Sequence, residues 1–313
     1  MKVAQVTSWG SAPVLSDAPD LPAPTGSQVQ VKVVAVGVPR VVRGRALGVH
    51  SSSRGAPLPF DPTVDGIVQD EASGDLFYVS PNSAALFAER ANVERHTLVR
   101  LAPGADAVSV ATQVNPVASS WMALRVRTSD PDSVKGATVL VLGATSTSGR
   151  AAIAIARSLG AARIIGTSRS EDKLAAVQDL DERVVLQAPY TLPPTLGPVH
   201  IILDFVGGQA ASGVLTSAQI EPGKELQYIH VGDLAGEETI AVPGRLLNAR
   251  PVRITGSGMG AWGKQEIKKE INGLLGAITK LPRPEDLLIA KFSDIESVWD
   301  TEEAQTKRLV LVW

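Results

Sequence analysis

Apolar positions along this chain change their spacing twice. Up to about residue 101 they alternate or come in short runs, the spacing of β-strands. Val29, Val31 and Val33 alternate with polar residues and lead into V-V-A-V, which predicts a strand over 29–36. Shorter strands are expected over 3–7, 64–69, 76–80 and 97–101, with extended loops over 13–24 and 51–62. Residues 84–92 read as a short helix or strand, and the basic stretch 37–50, with Arg40, Arg43 and Arg45, as a solvated loop. Small residues dominate 107–126 and predict a helix interrupted near Asn115-Pro116. Beyond residue 137 short fully apolar runs alternate with helix-period segments. Strands are expected over 139–142, 163–166, 184–186, 200–204, 226–231 and 252–255, with helices over 150–159, 173–180, 210–220 and 264–280. A strand at 287–292, a helix at 294–303 and a strand at 308–312 close the chain. Continuous apolar strands alternating with helices imply a parallel, doubly wound α/β sheet, here attached to a β-rich module.

The alternation is sharpest over residues 137–173, which read A-T-V-L-V-L-G-A-T-S-T-S-G-R-A-A-I-A-I-A-R-S-L-G-A-A-R-I-I-G-T-S-R-S-E-D-K. Strand, glycine-bounded turn, helix and second strand within about thirty residues form the dinucleotide-binding unit. A helix that starts straight after a strand points free N–H groups and its positive dipole end at an anion. The turn Gly143, Ala144, Thr145, Ser146, Thr147, Ser148, Gly149 keeps the outer glycines but carries Ser146 in the middle place, so the strict G-x-G-x-x-G pattern is absent. Its small hydroxyl residues can donate to phosphate oxygens. NAD sites place an acid after the second strand to hold the ribose hydroxyls. Here that strand runs into Ser168-Arg169, with Lys173 following. Arg169, Lys173 and Ser168 suit a 2′-phosphate, which argues for NADP(H). Ser170 suits the cap of the next helix, with Glu171 and Asp172 in its first turn.

Composition narrows the remaining classes. At 313 residues the chain is long enough for two domains. Its net charge of −2 gives no footprint for nucleic acid. No apolar run approaches the roughly 20 residues that cross a bilayer, and the first residues read as a strand, so a cytoplasmic protein is expected. Cysteine is absent, which removes disulfides, thiolate nucleophiles and thiolate zinc ligands. The four histidines, His50, His96, His200 and His230, show no metal-ligand spacing, and no metal is expected.

Landmarks in fixed order carry a further signal. They are the 29–36 strand, P-L-P-F-D-P-T-V-D-G at 57–66, G-D-L-F-Y at 74–78, A-L-F-A-E-R at 85–90, N-P-V-A-S-S-W-M-A-L at 115–124, the 143–149 turn, D-F-V-G-G at 204–208 and the final strand before Trp313. Together they resemble the medium-chain dehydrogenase/reductase superfamily, specifically its zinc-free, quinone-oxidoreductase-like branch, over almost the whole chain. The resemblance implies a β-rich, GroES-like catalytic domain over 1–118 and 281–313 and a Rossmann domain over 119–280. It further implies that Ser119 approaches the nicotinamide, that Val206 and Gly207 lie near its ribose, and that Val231, Gly232, Gly256, Ser257 and Gly258 line its pocket. A homodimer through the sheet edge near 250–255 is common in the superfamily. The implied activity is transfer of hydride from NADPH to a quinone or an activated C=C bond of a small molecule.

Two departures bear on the chemistry. Zinc-dependent relatives use cysteine and a G-H-E motif, where this chain reads T-V-D at 63–65. Many zinc-free relatives carry Asn and Asp after the second strand, often with a downstream Tyr, where this chain has Pro39, Val42 and Ser51. Tyr78 and His50 remain as candidate proton donors. The missing polar residues leave open a second role, a biosynthetic tailoring protein that catalyses a non-redox isomerisation or cyclisation.

Overall fold

A computed structural model describes all 313 residues. The chain divides into two compact units, Met1–Asn115 with Ile278–Trp313, and Pro116–Ala277. In the first, β1 (Lys2–Gln5) pairs antiparallel with β2 (Val14–Asp17), a strand where sequence suggested only loop. The long β3 (Gln28–Gly37) follows, then helix α1 (Arg40–Ala46), β4 (Gly66–Gln69), β5 (Leu76–Val79), β6 (Arg90–Glu94) and β7 (Leu98–Arg100). The expectation of a solvated basic loop over 37–50 is corrected by α1. Arg43 turns inward and donates to the carbonyls of Trp299 (2.9 Å) and Ala304 (2.7 Å). Arg45 is buried and donates to Ser52 Oγ and Asn82 Oδ1. Their charges serve internal carbonyl, hydroxyl and amide acceptors, leaving Arg40 as the exposed member.

Helix α2 (Ala107–Val126) runs unbroken through Pro116, against the expected interruption. Proline removes one backbone hydrogen bond and costs about 3 kcal/mol inside a helix. Burial of Val110, Val114, Val117, Met122 and Leu124 offsets that loss. The hydroxyls of Ser119 and Ser120 both reach the Pro116 carbonyl.

The second unit is built on β8 (Thr138–Leu142), α3 (Thr147–Ser158), β9 (Arg163–Ser168), α4 (Glu171–Ala175), β10 (Glu182–Val185), β11 (Ile201–Asp204), α5 (Gly208–Ser217), β12 (Leu226–His230), α6 (Gly244–Ala249), β13 (Val252–Gly256) and α7 (Lys264–Ile278). All six strands are parallel, in the order β10-β9-β8-β11-β12-β13. Numbered from β8 this is 3-2-1-4-5-6, the doubly wound arrangement with its switch point between β8 and β11. The reason is visible in the strands: every residue of β8 and β11 is buried, as a sheet covered on both faces demands. A core on one face joins Leu140, Ile165, Ile202, Val214, Leu215 and Tyr228. Helix α4 starts before the expected 173–180 and stops at Ala175, because Ser170 caps it at Lys173 N and so sets an earlier first turn.

The C-terminal part returns to the first unit. Strands β14 (Leu287–Lys291) and β15 (Arg308–Val312) extend its sheet to seven strands, ordered β14-β15-β3-β4-β5-β7, with β6 on β3. The single helix expected over 294–303 is two short ones, α8 (Ile295–Val298) and α9 (Glu302–Thr306). Thr301 caps the second by accepting from Ala304 N, which restarts the helix. Phe87, Phe292 and Trp313 form an aromatic cluster in this unit, Phe292 stacked on Trp313 at 4.4 Å. The fold class read from the sequence therefore holds in both parts. No helix is long and apolar enough to cross a membrane.

Candidate functional site

The turn after β8 is held by its own backbone. Gly143 adopts φ +93°, which a side chain resists. Ser146 caps α3: its Oγ accepts from Gly149 N at 3.0 Å and donates to Gly143 O at 2.8 Å. Ala144 N donates to Thr167 O of β9, tying the turn to the next strand. A Cβ on Gly149 would lie 2.3 Å from Gly143 O and 2.9 Å from Ala144 Cα. Helix and strand thus approach closer than any side chain allows, and the free N–H groups of Thr147 and Ser148 stand at the helix start.

A cavity of about 500 Å³ opens beside this turn. Of the residues expected to bind a nucleotide, Gly143, Thr145, Ser146, Ser168, Arg169, Lys173 and Val206 line it. Thr145 and Ser168 hydroxyls lie 3.4 Å apart, and Ser168 Oγ accepts from Ser170 N at 3.2 Å. Ser170 in turn caps α4. The exposed side chains of Arg169 and Lys173 make no ion pair, so both cations are free for a ligand. The only carboxylate on the cavity wall is Glu237, which accepts from Gln209 N at 3.1 Å. Tyr190 also lines the cavity and offers an aromatic face to a base. Nothing in the sequence pattern marks it, because it sits in a proline-rich loop with no strand or helix period.

The other expected contacts lie elsewhere. Ser119 donates to Pro116 O within its own helix at 2.7 Å. Its neighbour Ser120, fully buried, is the residue whose hydroxyl reaches Ser148 O in the first turn of α3, at 3.4 Å. Gly207, Val231, Gly232, Gly256, Ser257 and Gly258 lie at or just beyond the C-terminal ends of β11, β12 and β13 and do not line the cavity. The buried Ser257 donates its N–H to His230 O at 2.7 Å, and its hydroxyl accepts from Trp262 Nε1 at 3.2 Å.

Both candidate proton donors read differently in three dimensions. Tyr78 is 2% exposed and donates to Asp65 Oδ2 at 3.0 Å. Burial, with the charge of Asp65, raises the phenol well above its usual range, so it keeps its proton. Tyr78 is a packed strand residue. His50 sits in the loop after α1 with Nδ1 on Ser52 Oγ at 2.8 Å. Partial burial and then the charge of Arg45 lower its pKa, favouring the neutral ring. The T-V-D stretch is likewise internally satisfied: Thr63 bonds Asp61 and Leu86, and Asp65 takes Tyr78.

Burial pushes the Asp65 carboxyl up to about 6, against the lowering effect of the Tyr78 hydrogen bond. The fold therefore binds this proton more tightly than the unfolded chain does. Its contribution is present at low pH and is lost as pH rises from about 4 to about 6, by about 3 kcal/mol. Asp65→Asn keeps an acceptor for Tyr78 without the charge. Denaturant titrations across this pH range should show the variant gaining stability over wild type as pH rises, and parallel curves would contradict the assignment.

The most densely bonded polar group of the second unit was not anticipated. Asp204, fully buried at the end of β11, accepts from Val206 N (2.8 Å) and Gly207 N (2.9 Å) through Oδ1. Its Oδ2 accepts from Tyr228 OH and from His230 Nδ1, the latter at 2.9 Å. The sequence signal is slight: His230 has no metal-ligand spacing to another histidine, and its pairing with Asp204 joins residues 26 apart.

Known proteins supply a frame for this geometry. No family model matches the chain. A protein of Emericella nidulans named "Probable NADPH-dependent quinone reductase tdiC" is 41% identical, with all of both chains covered. The chain belongs to the quinone-oxidoreductase-like branch of the medium-chain dehydrogenase/reductase superfamily. Solved structures share its fold along the full length of both chains. A mycobacterial quinone oxidoreductase superposes with a TM-score of 0.82 at 18% identity. The quinone oxidoreductase of Thermus thermophilus, whose structure is also known in complex with NADPH, superposes with 0.76 at 21%.

Proposed function

We propose that this chain is an NADPH-dependent oxidoreductase that reduces a quinone, or an activated C=C bond of a related small molecule, without zinc. The observation that carries the reading is the start of α3. A turn that only glycine can complete at Gly149 lies beside two unpaired cations, Arg169 and Lys173, with Ser168 in place of an acid. These residues fit a dinucleotide bearing a 2′-phosphate: Thr145, Ser146 and the first N–H groups of α3 hold the pyrophosphate, and Arg169 and Lys173 hold the 2′-phosphate. The bound nucleotide supplies a hydride. The chain's own residues hold it in one orientation, with Val206, just beyond β11 on the cavity wall, toward its far half. The full-length likeness to a relative named as a quinone reductase supports the choice of substrate class. A route without zinc agrees with the absence of cysteine and with side chains at 61–65 that satisfy one another.

The test is to follow consumption of NADPH and of NADH with a panel of benzoquinones, naphthoquinones and enones. Quinone-dependent oxidation of NADPH, slower with NADH, is expected. Tight NADPH binding without turnover of any member, or conversion of an added substrate with no nucleotide consumed, would overturn the redox reading.

A further inference from the structure

The C-terminal ends of the parallel strands line up in one register row: Thr167 pairs with Leu142, Leu142 with Asp204, Asp204 with His230, and His230 with Gly256. Arg169 follows one end of this row and His230 stands near the other. The α3 turn lies between them, after Leu142. Strands β9 and β12 are three spacings apart, about 14 Å, a span that an extended dinucleotide covers. A nucleotide with its 2′-phosphate at Arg169 and its pyrophosphate at α3 therefore carries its reactive end toward β11 and β12.

His230 is equipped for chemistry at that end. A carboxylate only accepts, so the 2.9 Å contact means that Nδ1 donates to Asp204. The ring is thereby fixed in tautomer and direction, with Nε2 left without a protein partner and 36% of the side chain exposed. Behind it Asp204 is anchored by two backbone N–H groups and by Tyr228, so the acceptor cannot swing away. Gly207 lies against the ring: a Cβ there would stand 3.5 Å from His230 Cε1. The groups facing the imidazole are Asp204 on β11, Tyr228 on its own strand and Asp233 in the following loop. The hydrogen bond to Asp204, and the negative charges of Asp204 and Asp233, raise its pKa against the opposing effect of burial.

We infer that His230, positioned by Asp204, is the proton donor for this reduction. The inference rests on the reductase reading above. Reduction of a quinone to a hydroquinone adds one hydride and one proton. The hydride comes from the reduced nucleotide. The Nε2–H bond of His230 breaks, its electron pair stays on Nε2, and an O–H bond forms on the developing phenolate. The neutral ring then regains a proton from water through its exposed edge. Asp204 acts through His230 and is a positioning residue.

Two readouts test this. His230→Asn and His230→Gln should lower kcat at neutral pH by about 100-fold, with NADPH affinity roughly that of wild type. Wild-type kcat should fall as pH rises through the imidazolium pKa, and that limb should vanish in both variants. Independently of turnover, proton NMR of the four imidazoles identifies His230 as the resonance lost in His230→Asn. Its midpoint should exceed about 6.5 in wild type and fall in Asp204→Asn. A wild-type enzyme that reduces quinones while His230→Asn and His230→Gln match its kcat and pH profile overturns the inference alone. A His230 midpoint unmoved by Asp204→Asn also overturns it. A wild-type chain inactive on every quinone overturns the reductase reading together with it.

Discussion

Gly149→Ala should abolish measurable nucleotide binding and lower folding stability by about 3 kcal/mol, the upper part of the usual range for overpacking. The new Cβ would meet the Gly143 carbonyl oxygen at 2.3 Å and the Ala144 Cα at 2.9 Å, both backbone atoms. Neither can rotate aside as a flexible side chain would, so the strand end and the start of α3 must separate. Separation also moves Ser146, whose hydroxyl bridges Gly143 O and Gly149 N, and so spoils the cap that aims the free N–H groups. Binding should therefore fail even at temperatures where the variant remains folded. Denaturant unfolding with a parallel NADPH titration reads both effects. A variant that keeps wild-type affinity would show that the turn is not the nucleotide cradle. Gly143→Ala makes a useful comparison, because its strain arises from φ +93° and a 3.0 Å approach to a Val206 methyl group, which can give way.

Arg169→Ala should weaken NADPH binding by roughly 10- to 100-fold, the range of about 1.5–3 kcal/mol for hydrogen bonds to a charged group, and leave NADH binding nearly unchanged. The side chain is exposed and makes no ion pair, so its removal breaks nothing in the fold. Lys173→Ala should have a smaller effect of the same kind, since a lysine meets a phosphate as a point charge whereas a guanidinium grips it with two donors. Both effects should shrink as salt is raised, because these charges face solvent. Equal loss of NADPH and NADH affinity in Arg169→Ala would move the arginine from the 2′-phosphate to the pyrophosphate.

Much of this site was legible because its signals are local. The run from Val139 through the turn to Ser170 carries strand burial and a helix cap at Ser170 within a single βαβ unit, and both appear in the structure where the pattern places them. Helix α3, by contrast, starts at Thr147 rather than the expected 150, because Ser146 caps it. The cap at Ser170 and the free cation at Arg169 coexist because they use different side chains. What was not legible depends on neighbours distant in sequence. Arg43 and Arg45 look like solvent charges until the C-terminal carbonyls and Asn82 arrive beside them. Tyr78 looks like a reactive phenol until Asp65, just before the neighbouring strand β4, accepts its hydroxyl in a buried hydrogen bond. Ser119 and Ser120 are indistinguishable as letters, and only the direction of α2 decides which hydroxyl meets the α3 turn. Asp204 ends an apolar strand in a way that reads simply as the strand's stop. Its importance appears when β12 is laid in register beside β11 and brings Tyr228 and His230 onto the same carboxylate.

Isothermal titration of the wild-type chain with NADPH and with NADH measures most directly which nucleotide the cavity beside α3 takes. One NADPH per chain should bind at least about tenfold more tightly than NADH, a charge-assisted contact's worth of free energy, with the difference lost in Arg169→Ala. Equal affinities for the two nucleotides, or heat from neither, would contradict the assignment of this cavity to NADPH.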